Sequence, residues 1–130
     1  MNHDEFEHKL MNMLLAGDDE ILMKLRKQYQ LAKIDSRDIS VVGFFTRYSI
    51  PHSDDLYIDR ESFAFGDVFG SAGGIDRAVG FVLFVREGYI SLLEGYTNLI
   101  DRWPQSYDEI QLSYDSGEKR DLTTLVEKWK

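Results

Sequence analysis

Two runs rich in apolar, β-branched and aromatic residues, Phe81 to Val85 and Tyr89 to Tyr96, flank the short polar stretch Arg86-Glu87-Gly88. That pattern is a β-hairpin. Gly88 is expected in a left-handed conformation, in a three-residue turn with a bulge. A hairpin this apolar needs a sheet around it and a cover on at least one face.

The rest of the chain supplies both. Phe6, Leu10, Met13 and Leu14 recur at helical spacing behind Asp4, Glu5 and Glu7. Acids there suit the positive end of a helix. Gly17 can end this helix and Asp18 or Asp19 can cap the next. The second helix carries Ile21, Leu22, Leu25, Tyr29 and Ala32 on one face. After Asp38 the period changes. Ile39 to Ile50 reads as one strand ending at Pro51, with Val42, Phe44, Thr46, Tyr48 and Ile50 on one side. Val41, Gly43, Phe45, Arg47 and Ser49 form the other side. His52 to Asp59 is a polar, acidic loop. Ser62 to Val68 is a further strand, and Gly70-Ser71-Ala72-Gly73-Gly74 a flexible connection. Asn98 to Asp108 is a loop holding Trp103-Pro104. Glu109 to Asp115 alternates as a last strand, and Asp121 to Lys130 is a short helix. Val42-Gly43-Phe44-Phe45 is echoed by Val79-Gly80-Phe81-Val82, as two strands packed side by side would be.

Helices, then strands, then a helix predict a single α+β domain over 1–130: an N-terminal helical hairpin, an antiparallel sheet of four to five strands, and a short C-terminal helix. The 130 residues can bury roughly two-thirds of their unfolded surface. No cysteine is present, which excludes disulfides, thiolate metal sites and a cysteine nucleophile. The acidic start and the lack of a long apolar run point to the cytoplasm. A net charge of −8 repels nucleic acid and anionic membranes; it either favours a basic partner or, as net charge more commonly does, only keeps the protein in solution.

No residue pattern points to a reaction or a cofactor. His3 and His8 are five apart, not the four that share a helix face, and with His52 read as exposed polar residues. The glycines between Gly66 and Gly80 lack the Gly-Lys-Ser/Thr of a phosphate loop. Ser71 lacks the frame of a nucleophile elbow. Glu94 lies in an apolar strand. If Leu92 faces the core, so does Glu94, which would then need Arg47 or Arg86 or a raised pKa, as a candidate acid or base; if Leu93 does, Glu94 faces out. The aromatics are the stronger signal. Trp103, with Tyr96 and Tyr107 near it in sequence, suits a protein-binding hot spot, or else folds back to close the hairpin's edge.

Gly88-Tyr89-Ile90-Ser91-Leu92-Leu93-Glu94-Gly95-Tyr96-Thr97 followed by Trp103-Pro104 resembles a group of small bacterial proteins associated with immunity to polymorphic or contact-dependent toxins. Val41-Val42-Gly43-Phe44-Phe45-Thr46, Gly80-Phe81-Val82-Leu83-Phe84 and Leu15-Ala16-Gly17-Asp18-Asp19 resemble the same pattern, which spans Leu14 to Tyr114. The segment between Tyr96 and Trp103, with Asn98, Leu99 and Ile100, is less acidic than that pattern, so if it contacts a toxin the resemblance implies a different or relaxed partner.

The resemblance implies a non-enzymatic protein that neutralises a toxin by binding it. The expected contacts are Trp103, Tyr96, Tyr107 and Glu94, with Asp54, Asp55, Asp101 and Asp108 steering a basic toxin. The protein would act as a monomer or homodimer, without cofactor or metal. The alternative is a small-molecule-binding domain or enzyme using the sheet face around Phe44, Arg47 and Glu94.

Overall fold

A computed structural model describes residues 1–72, 79–97, 102–104 and 106–130. Helix α1 spans His3–Leu14 and starts at a capping box. The Asn2 side chain accepts the Glu5 N–H at 2.8 Å, and Glu5 reaches back to the Asn2 N–H. Such caps contribute about 1 kcal/mol. At the other end the carbonyls have no donors within the helix. Arg26 donates to the Leu15 and Gly17 carbonyls at 2.5 and 2.7 Å, and Arg120 to those of Met13 and Ala16 at 3.1 and 2.7 Å. Gly17 turns the chain at a φ of 131°, where a side chain would be strained. Helix α2, Glu20–Leu31, is capped by Asp19, which accepts from the Ile21 and Leu22 N–H groups.

Seven strands follow: β1 (Lys33–Ser40), β2 (Gly43–Ser49), β3 (Phe63–Phe65), β4 (Val68–Ala72), β5 (Val79–Arg86), β6 (Tyr89–Tyr96) and β7 (Ile110–Tyr114). They form one antiparallel sheet in the order β1-β2-β6-β5-β4-β7, with β3 also paired to β5. Helix α3, Leu122–Leu125, closes the chain with one further 3-10 turn. No helix among the described residues is long and apolar enough to cross a membrane. The α+β class is the expected one, and the sheet is larger than expected.

The differences have local causes. The strand expected over Ile39 to Ile50 is two strands joined by a turn at Val41 and Val42. β1 escapes sequence reading because Lys33-Ile34-Asp35-Ser36-Arg37-Asp38 has no alternation. It is an edge strand, mostly exposed and bulged between Ile34 and Ser36. The expected flexible connection is in part strand β4. Gly70 sits there because a side chain would strike Ile110 and Val79. Gly73 and Gly74 lie outside the described residues. The central hairpin closes in two residues, not three. Arg86 pairs with Tyr89, and Glu87 and Gly88 both have positive φ, at 52° and 87°. That is the signature of a type I′ turn.

The echoed segments are not neighbours: β6 lies between β2 and β5. Gly43 and Gly80 pair with Tyr96 from opposite sides, so the echo marks one row across the sheet.

The helices cover one face. Phe6, Leu10, Leu14, Leu22 and Leu25 are buried with Phe44, Phe81, Leu83, Val85 and Leu93. Trp129 closes one flank on Phe63 and Phe65, at 5.2 and 5.4 Å between ring centres. The other face carries Phe45, Arg47, Val82, Phe84, Leu92, Glu94 and Tyr96, and the helices do not reach it.

Candidate protein-binding site

Two groups of side chains have enough chemistry to be considered. The first is buried between α1 and the sheet. Glu7 is 2 % exposed, set in the apolar face of α1 with His3, Leu10 and Leu14 above and below it. Its carboxylate is fully engaged. Tyr48 donates to Oε1. His3 Nε2, Thr46 Oγ1 and Arg37 Nε donate to Oε2 at 2.8, 2.9 and 3.1 Å. Arg37 also holds Asp4 at 2.6 Å.

Burial pushes the Glu7 carboxyl up. The hydrogen bonds from His3 and Tyr48, the Arg37 charge and the Thr46 hydroxyl outweigh it and hold the carboxyl below its ordinary value. Burial and the Glu7 charge push the Tyr48 phenol upward, and Tyr29 to about 12. Glu7, Tyr48 and Tyr29 therefore keep one protonation state through the neutral range.

The network continues outward. Glu7 can only accept, so His3 Nε2 carries a proton, and His3 Nδ1 meets the Tyr107 hydroxyl. Trp103 Nε1 donates to that same hydroxyl at 3.3 Å. Tyrosine, histidine and carboxylate in a row have the order of a nucleophile, its base and an orienting acid. Here the hydroxyl is held from both sides, and the carboxylate also binds Arg37, Thr46 and Tyr48. The row ties the N-terminal helix to β1, β2 and the Trp103 segment. The five-residue spacing from His8 predicts an exposed His3. It is mostly buried, while His8 and His52 are exposed as expected. The missed signal was the spacing of His3 and Glu7, one turn apart on the apolar face. Among the described residues no group of His, Asp and Glu is placed to hold a metal.

The second group lies on the uncovered face. Phe45 and Tyr96 are each 42 % exposed. Tyr96 lies flat over Gly80, where any side chain would collide with its ring. Leu93 is fully buried, so Glu94 faces out, between Phe45 and Val82 on the flanking strands. Glu94 is half-buried and makes no hydrogen bond or ion pair among the described residues.

The residues expected to bind a partner do not converge. Trp103 is 6 % exposed, its ring edge-on to Phe44 at 5.4 Å and to Phe81 at 6.2 Å. It closes the core and is not an accessible anchor. Gly95 makes room for it, since a side chain there would strike Phe44 and crowd Trp103. Tyr107 is half-buried on the helix side, against Phe6, away from Tyr96. Asp108 is exposed and pairs with the Met1 ammonium at 2.9 Å. Asp54 and Asp55 are exposed beside Ser53, which bonds Tyr89 at the start of β6. Tyr96 ends that strand, so the length of β6, roughly 23 Å, separates it from them. Asp101 lies outside the described residues. Phe44 points under the helices while Arg47 and Glu94 point away from them, so these three share no site.

Fold and site together define an α+β protein whose antiparallel sheet is packed by helices on one side and presents aromatics on the other. The chain matches no family model, no curated protein and no solved structure.

Proposed function

We propose that this chain is a non-enzymatic protein-binding module, an acidic bacterial immunity protein that neutralises a cognate toxin in the cytoplasm by binding it directly. The observation that carries the reading is the uncovered sheet face, with Phe45 and Tyr96 exposed on it. Rigid aromatics on a sheet lose little conformational freedom on binding, which is why such residues anchor interfaces. The reactive groups of the fold support the same reading, because the Glu7 cluster is satisfied within itself.

A net charge of −8 complements a basic toxin such as a nuclease. Charge of that kind raises association rates to about 10⁸–10⁹ per molar per second at low salt. The exposed acids Asp54, Asp55 and Asp108 serve steering, and Tyr96 with Phe45 replaces Trp103 as anchor.

The test is capture of a partner from the source organism's lysate, followed by its expression alone and with this chain. A basic protein that arrests growth by itself, and no longer does so when co-expressed, is the expected result. A stoichiometric partner that is harmless on its own overturns the reading.

A further inference from the structure

We propose that the uncovered sheet face docks a protein segment through one basic side chain, an arginine or lysine, whose charge Glu94 receives between Phe45 and Tyr96. Glu94 stands in the middle of an apolar surface. Phe45 and Val82 are its cross-strand neighbours, and Leu92 and Tyr96 flank it along β6. Directly paired side chains in such a sheet are about 5 Å apart, so Phe45 and Val82 crowd the carboxylate, and Leu92 and Tyr96 stand on the same face one step further along the strand.

Among the described residues, Arg47 and Arg86, both on this face, are engaged elsewhere. Arg47 leans on Asp38 at 3.5 Å, and the Arg86 guanidinium lies 5.1 Å from the centre of the Phe84 ring. A carboxylate in apolar surroundings gains most from an opposite charge once a partner excludes water. Two aromatic rings beside it favour a cation further. Arginine suits best, because its planar guanidinium can meet a carboxylate with two hydrogen bonds while stacking on a ring. Net charge argues against a second copy as occupant, since two chains of −8 repel.

This inference rests on the protein-binding reading and sharpens it, and its test does not require the toxin. Random peptides displayed on phage are selected against the wild-type protein. Enriched peptides carry an arginine or lysine next to apolar residues, and the purified peptides bind Glu94→Gln roughly thirty-fold more weakly than wild type. Glu118→Gln removes the same charge in the exposed turn after β7 and changes binding less than about two-fold, because a distant exposed charge is screened. An unchanged thermal midpoint shows that Glu94→Gln is folded.

Peptides without a basic residue, equal binding to Glu94→Gln, or no enrichment at all overturn the proposal. So does a wild-type dimer in sedimentation that Phe45→Glu dissociates, because a second copy then occupies the face. Peptide binding at Glu94 with no toxin neutralised leaves the docking site standing and removes the immunity reading. Toxin neutralised equally well by Glu94→Gln does the reverse.

Discussion

Glu7 and Glu94 lie on opposite sides of one sheet and are treated in opposite ways. Glu7 is buried under α1 and has a donor for each oxygen. Glu94 is only half-buried and has no partner among the described residues. A buried carboxylate without partners would be strongly destabilising, so the inner face tolerates Glu7 only because His3, Arg37, Thr46 and Tyr48 converge on it. The outer face is under no such demand while water reaches it. The difference separates a carboxylate that organises the fold from one left available to something outside it.

The comparison can be broken most forcefully at Glu7. Glu7→Ala strands Arg37, Tyr48 and Thr46 around a cavity and is expected to lose about 3–5 kcal/mol in urea unfolding. A loss below about 1 kcal/mol would show that the network is dispensable. Gln28 supplies a second, uncharged case on the inner side. It is fully buried, donates to the Leu56 and Gly88 carbonyls at 2.7 and 2.9 Å, and accepts the Ile90 N–H at 2.8 Å. Gln28→Leu should lose about 2–3 kcal/mol, because the Leu56 carbonyl and the Ile90 N–H lose their partner and the Gly88 carbonyl keeps only the Ile58 N–H. Little loss in that variant would mean water replaces the amide.

Acid sharpens the contrast. The folded Glu7 carboxyl titrates below its ordinary value of 4.5, so the folded state binds that proton less tightly than the unfolded chain. Its contribution is complete above the ordinary value and is lost as pH falls through the folded one. Wild type should therefore lose stability more steeply than Glu7→Gln below pH 4.5, read as urea midpoints across that range. Parallel curves would contradict the cause assigned to the shift.

The smallest effect is expected at Glu94, with the opposite sign. Glu94→Leu joins Val82 and Leu92 in one apolar row and should stabilise the isolated protein by about 0.5–1 kcal/mol. Destabilisation would indicate that Glu94 has a structural role after all.

Much of this architecture was legible. The alternation of β2, the central hairpin, the Asp19 cap and the two helices all follow from local pattern, because each depends on residues within one or two turns of chain. β1 was not legible: a polar edge strand has no buried face to impose a period. The candidate site was read only in part. Tyr96 and Glu94 do reach the surface, while Trp103 turns inward onto Phe44 and Phe81, rings far away in sequence.

By itself the sequence determined the α+β class, the acidity and the existence of two distinct faces on β2 and β6. Period-two alternation says that neighbouring residues point apart; it does not say which side the helices will choose. Only the tertiary structure decided that Leu93 faces in and Glu94 out. It alone decided that Glu7 is compatible with a core, because of the four partners that satisfy it only His3 is local, while Arg37, Thr46 and Tyr48 lie 30 to 41 residues further along the chain. Local spacing carries propensity and periodicity, whereas the satisfaction of a buried charge is a property of the assembled fold.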